Sequence, residues 1–447
     1  MTSRSRARLG LMVALLAAVL FVAASTGRAQ APNALETFDA VWRTVRDSHF
    51  DKTLNGVDWD RVAAELRPKA VAAVTVGELR AVLRDMLGRL GQSHFAIIPG
   101  TPDSVAEPPR DLSASPGFDV RLVGRDLVVT DVEPEGPAAA SGVKTGWKVL
   151  TVDSASMQTV LGTLSDALEP RLLHVEAWRL GHTRLNGPSG SRTSISFEDG
   201  SGQVRTLSIE RRPEGGQPVT VGNLPTMFVR VDTHRAQTPG GRAAGVIGFN
   251  VWMAAVDQPF SQAVDDYRAS DGIIIDLRGN PGGLAAMMMG ISGHFIDERK
   301  PLGVMKTRDP EPLRFNVNPR RVNLRGQRVE PYAGPVAILV DALSGSASEC
   351  FTGGMQSLGR VRVFGQRSMG QALPALFAKL PNGDVLIHAY GDFVTSDGTR
   401  LEGRGVIPDE VLPLDRADLL AGRDRSMEAA LAWIDAAGKE PSTPRAR

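Results

Sequence analysis

Residues 336–370 read VAILVDALSGSASECFTGGMQSLGRVRVFGQRSMG, and the rest of the chain is placed from them. Residues 336–340 are an apolar run of strand length that stops at Asp341. Helical spacing runs from about Ala347 to Leu358, and a second β-rich run, 361–364, follows Gly359-Arg360. The pattern predicts a strand–turn–helix–strand unit with Ser346 at the turn where the helix begins. A helix N-terminus offers unpaired N–H groups and the positive end of a dipole to a developing negative charge, which suits a nucleophile. Ser346 with Glu349 three residues later is also a capping box, which needs a hydroxyl and no chemistry. On these residues alone both readings stand.

The 447-residue chain is long enough for two or three domains. It opens like an export signal: Arg4, Arg6 and Arg8, then an apolar stretch from Leu9 to Ala24, too short for a stable span, then Gly27-Arg28-Ala29. Cleavage is expected after Ala29, giving a periplasmic or secreted protein with no stable membrane anchor. Loss of four arginines turns the formal net charge of +1 slightly negative, which leaves no electrostatic case for nucleic acid. Cys350 is the single cysteine, so no intrachain disulfide can form. The seven histidines make no HExxH or similar cluster, and neither a metal nor another cofactor is expected.

Residues 33–90 carry helical spacing, for instance Phe38, Val41, Trp42 and Val45. That segment breaks at Gly91-Gln92-Ser93-His94-Phe95. Ser93-His94 reads locally as a solvated or capped turn, and Ser48-His49 repeats the dipeptide elsewhere. A Pro-rich linker follows at 101–109. Residues 117–153 contain Gly136-Pro137-Ala138, Ser141-Gly142-Val143-Lys144 and a strand at 148–152, and resemble a PDZ domain of the bacterial protease type. In such domains a loop, here containing Gly117 and Phe118, captures a peptide carboxylate on backbone N–H groups. The alternative is a β module that only packs against its neighbour. Residues 154–191 read as an insertion without a motif, and 193–211 as a hairpin. From Leu224 strands alternate with helices, which predicts a parallel sheet. The short buried strand GIIID (272–276) runs into Leu277-Arg278-Gly279-Asn280-Pro281-Gly282-Gly283, a loop too poor in the expected residues to hold a phosphate. Met287, Met288 and Met289 read as core. Glu402 alone reads as a surface carboxylate.

Taken in order, LGQSHF (90–95), the PDZ-like module, IIIDLRGNPGG (273–283), SGSASE (344–349) and LEGRGVIPD (401–409) resemble the C-terminal processing (tail-specific) peptidases and the tricorn protease core. The resemblance implies an α/β, multidomain α+β fold: signal peptide 1–29, helical region 30–105, PDZ-like domain 106–215 with its insertion, crotonase-like parallel-sheet core 216–415, and a C-terminal helix and tail 416–447. It implies a serine peptidase with Ser346 as nucleophile. The lysine base of the processing peptidases falls on Gln371, which cannot take a proton. The tricorn-like branch uses a Ser-His pair and a Glu instead, and these fall on Ser93, His94 and Glu402. His94 would then be the general base, with Ser93 and Glu402 orienting its ring. An acid limb of activity is expected near the unperturbed imidazole pKa of about 6.5. The N–H groups of Ala347 and of Gly282 or Gly283 would form the oxyanion hole. The implied partners are polypeptide substrates, recognised at their C-termini. A non-catalytic ligand-binding protein on the same fold is the alternative, and it needs none of Ser346, His94 and Glu402.

Overall fold

The protein was analysed as a computed structural model that describes residues 31, 33–100, 112–164, 168, 170–220 and 226–437. The expected signal segment, the Pro-rich linker and the last ten residues lie outside these.

Three helices, α1 (Ala34–Ser48), α2 (Trp59–Ala72) and α3 (Val76–Gly88), form the N-terminal part. Their apolar stripes meet in one core of Phe38, Val41, Leu66, Leu79 and Leu83. A capping box of Thr75 and Glu78 starts α3. The strand β1 (Ala96–Ile98) follows, after the loop that carries Ser93 and His94. β1 pairs antiparallel with a strand near the other end of the chain, Val385–Ala389, placing Ala96 opposite Ile387. Arg80 and Asp384, both fully buried, fasten the same junction by a two-pronged ion pair of 2.5 and 2.9 Å. Breaking such a pair leaves one buried charge unpartnered, so α3 and the distant hairpin are held together strongly.

An antiparallel sheet comes next: β2 (Phe118–Val123), β3 (Asp126–Val132), β4 (Lys148–Val152), β5 (Arg192–Glu198) and β6 (Val204–Glu210), in that spatial order. Residues 154–191, read from the sequence as an insertion without a motif, contain the helix α4 (Pro170–Leu185). Ala177 and Leu185 of α4 are buried in the same core as Val120, Leu127 and Phe197. The helix is therefore part of this β unit. Its apolar residues are diluted by His174, Arg179, His182 and Arg184, which hid the period from inspection.

The central sheet has β7 (Val231–Gln237), β8 (Ala243–Phe249), β9 (Gly272–Asp276), β10 (Val336–Val340), β11 (Arg362–Gly365) and β12 (Glu410–Val411) in that order. β7 pairs antiparallel with β8, and β8 to β12 run parallel to one another. Ile273–Ile275 and all of β10 are buried, as a sheet covered on both faces requires. One face carries α5 (Asp257–Asp266), α6 (Met287–Ser292) and α7 (Ala347–Ser357), and the other carries α8 (Arg425–Ala437) through Ala430 and Ile434. The expected α/β fold with a parallel-sheet core is what the chain adopts.

Candidate active site

The buried run of β10 ends at Asp341, whose Oδ1 accepts the N–H groups of Gly279 (2.8 Å) and Leu343 (3.0 Å). This carboxylate ties the turn before Ser346 to the glycine loop after β9. Ser346 then caps α7 with φ 51° and ψ −117°. A positive φ on a non-glycine residue is strained and persists only where its surroundings over-determine it. Here the Ser346 N–H donates to the Gln371 carbonyl (2.9 Å) and to Glu349 Oε2 (3.1 Å). Glu349 is fully buried and also accepts from Ser368 Oγ and from the N–H groups of Gly370 and Gln371. Burial pushes its carboxyl up to about 7, against the four donors that favour the ionised form. One half of the capping box expected from the sequence thus serves a wider network that fixes the Ser346 backbone.

The glycine loop approaches this turn closely. A Cβ on Gly282 would lie 2.6 Å from Ser346 Cβ, and one on Gly283 would lie 2.4 Å from the Trp252 carbonyl oxygen. Both have positive φ, 106° and 139°. The Gly282 N–H donates to Asn280 Oδ1 (3.0 Å), so it is not available to a substrate oxygen. Trp252 pairs with the groups on either side of Gly283: its N–H donates to Gly282 O (2.9 Å), and its carbonyl accepts from Leu284 (2.8 Å). This pattern turns the Gly283 N–H away from Trp252. Among the described residues neither the Gly283 N–H nor the Ala347 N–H at the start of α7 has an acceptor. Of the two glycines left open by the sequence, the geometry leaves Gly283.

Ser93 and His94 lie in the loop between α3 and β1. Gly91 (φ 61°) and His94 (φ 59°) make its two left-handed bends. Ser93 Oγ donates to Glu402 Oε2 (2.8 Å) and lies 2.8 Å from His94 Nδ1. Because its proton goes to the carboxylate, Ser93 accepts from Nδ1–H, and His94 keeps a lone pair on Nε2. Glu402, a surface carboxylate by its local sequence, is 9 % exposed and accepts two further N–H groups, from Ser93 (2.9 Å) and Ala372 (2.8 Å). Burial lowers the His94 pKa to about 4. Among the described residues the hydrogen bond to Ser93 is the only one His94 makes, and none joins it to Ser346.

Ser346 and Glu402 meet instead on one segment. Gln371 gives its carbonyl to Ser346 and its N–H to Glu349, and the next N–H, of Ala372, goes to Glu402. Gln371 is thus brought against the Ser346 backbone. Glu349 and Asn280 were not singled out as site residues by the sequence, although each sits inside a quoted motif. Gly117 and Phe118 lie elsewhere, at the start of β2. The Gly117 N–H donates to Ser115 Oγ (3.2 Å), whereas Phe118, opposite Val132 in a non-hydrogen-bonded pair, turns its N–H away from β3. Among the described residues no three His, Cys, Asp or Glu side chains group to hold a metal ion, and no helix is long and apolar enough to cross a membrane.

Residues 243–412 match Peptidase family S41, and residues 32–88 match the Tricorn protease C1 domain. The chain is 23% identical over 386 residues to a carboxyl-terminal-processing protease of Picosynechococcus, covering 83% of this chain and 81% of that one. It is 24% identical to tricorn protease homolog 1 of Streptomyces coelicolor, covering 91% of this chain and 35% of that one. Among solved structures it resembles the photosystem II D1 C-terminal processing protease, with a TM-score of 0.56 and 21% identity over 89% of this chain and 98% of that one. The two matched segments are the helical start and the sheet that carries Ser346, and by these likenesses to peptidase family S41 and to the carboxyl-terminal-processing proteases the chain is a serine-type peptidase.

Proposed function

We propose that this is an exported serine peptidase in which Ser346 attacks the substrate carbonyl and His94 is its base. The observation that carries the reading is the path from the Ser346 N–H through Gln371 and Ala372 to Glu402, Ser93 and His94. The Ser346 Oγ–H proton passes to His94 Nε2 as the oxygen bonds to the carbonyl carbon. The N–H groups of Ala347 and Gly283 hold the resulting oxyanion, assisted by the dipole of α7. Collapse breaks the C–N bond, and His94 gives the proton to the leaving amine. Water then hydrolyses the acyl-enzyme with His94 again as base, releasing the carboxylic acid and restoring Ser346. Ser93 and Glu402 hold the Nδ1–H tautomer and balance the imidazolium. His94 must move to within hydrogen-bond reach of Ser346 for the first step, a tightening common when substrate binds.

The β2–β6 unit with α4 is read as a PDZ-like domain (106–215) between the helical region and the core, with Phe118 N–H offered to a peptide carboxylate. Processing of substrates at their carboxyl ends accords with the relatives named above. Export rests on residues 1–29, and N-terminal sequencing of the protein recovered from cells tests it: an intact Met1 on the mature protein overturns it. The catalytic reading is tested with a fluorophosphonate probe followed by peptide mapping. Labelling at Ser346 is expected, and equal labelling of Ser346→Ala moves the nucleophile elsewhere.

A further inference from the structure

Ser48-His49 repeats the Ser93-His94 dipeptide, and folding brings the two pairs together. His49 follows the last turn of α1 and is fully buried. Its Nδ1 meets both the carbonyl (2.9 Å) and the N–H (3.0 Å) of Asp51, and its Nε2 lies 2.9 Å from Gln92 Oε1, to which an Nε2–H donates. Its ring stacks on Phe50 (centroids 4.6 Å, planes 20° apart) and on Phe95 (5.5 Å, 8°). Gln92 and Phe95 are the residues on either side of Ser93-His94. We propose that His49 is a positioning residue for the reaction, gripping both flanks of this pair so that His94 keeps the left-handed backbone that aims its ring.

A buried, hydrogen-bonded histidine is ordinarily a satisfied core residue. What distinguishes His49 is where its two partners sit. Elsewhere in the loop from Leu90 to Phe95, Asn55 Nδ2 holds the Leu90 carbonyl (2.9 Å), the N–H groups of Leu90 and Gly91 bond back to the Leu87 and Gly88 carbonyls, Ser93 is held by Glu402, and Phe95 packs on the helical core. The positive φ of His94 therefore depends on what fixes positions 92 and 95. His49 supplies a hydrogen bond to the first and a stacked ring to the second. It touches no reacting atom and acts only through these neighbours.

The inference rests on His94 being the base, and the test keeps the two ideas apart. Full-length wild type, His49→Phe, Gln92→Ala, the double variant and His94→Ala are compared for fluorophosphonate labelling at Ser346. The same proteins are assayed for kcat and KM on one peptide and for Tm. His49→Phe keeps a ring and removes the donor; Gln92→Ala removes the acceptor from a half-buried loop position and decides the matter if the first variant fails to fold. Each single variant should lose on the order of tenfold in kcat and labelling rate, because small misplacement of a base is costly. KM and Tm should hardly move, and the double variant should be no worse than the worse single, since both act on one path. His49→Gln, which can offer an amide N–H to Gln92, should recover part of the loss. Wild-type kcat in His49→Phe and Gln92→Ala beside a dead His94→Ala overturns this inference alone, as does a loss that only follows the folded fraction. A His94→Ala protein that labels like wild type removes the base assignment and this inference with it.

Discussion

The carbonyl of Gln371 accepts the N–H of Ser346 at 2.9 Å, so the residue that the resemblance sets against the lysine of the processing peptidases touches the backbone of Ser346. Its part here is played by main-chain atoms, which any side chain at 371 would keep. Gln371→Ala should therefore reduce kcat by less than about tenfold, whereas His94→Ala should cost about 10²-fold or more, the usual scale for a lost general base. Steady-state kinetics on one peptide compare them. A larger loss in the Gln371 variant would assign it a chemical part.

The acid limb of activity should lie well below the value expected from an unperturbed imidazole. Burial lowers the His94 pKa to about 4, so the ring stays unprotonated, and able to act as a base, well below pH 6.5. The same shift makes the folded state bind fewer protons than the unfolded chain, so stability contributed by His94 is present above about pH 6.5 and is lost as pH falls through about 4. Initial rates from pH 3.5 to 8, with the folded fraction checked at each point, measure this. A limb at 6.5 in fully folded protein would mean that the ring is solvated.

Gly283→Ala should lower kcat by about 10²- to 10³-fold, the range found on losing an oxyanion-hole donor. The added Cβ would lie 2.4 Å from the Trp252 carbonyl oxygen, at a φ of 139° that side chains rarely adopt. The loop must shift, and its N–H shifts with it. Near-normal kcat at unchanged Tm would remove Gly283 from the site.

Glu349→Gln should destabilise the protein by about 1–3 kcal/mol, because an amide NH₂ replaces an acceptor facing buried donors. The pH dependence has a definite sign. The folded-state pKa is raised from 4.5 to about 7, so the Glu349 contribution is full below 4.5 and declines as pH rises through about 7. The stability gap between wild type and variant should narrow over that window in urea unfolding. A gap that widens instead would show that the four donors outweigh burial.

Several elements were legible before folding was considered. The apolar run at 336–340 and GIIID at 272–276 became buried parallel strands at the expected bounds, because a sheet covered on both faces demands continuous apolar residues. The placing of Ser346 at a helix start followed from the break between a strand period and a helical one. The resemblance to the tricorn-like branch is what named Ser93, His94 and Glu402 as a set. Other parts had no local signal. Glu402 read as a surface carboxylate and is buried, since its donors come from residues 93 and 372, far away in the chain. Residues 154–191 read as an insertion, and α4 within them takes its buried face from strands that precede it. His49 read as a stray repeat, and only the packing of α1 against the loop after α3 sets its ring against Phe95. Periodicity and turn chemistry act over a few residues and are written along the chain. Burial, hydrogen-bond partners and the pKa shifts that follow from them depend on which distant segments meet, and that was decided by the tertiary structure alone.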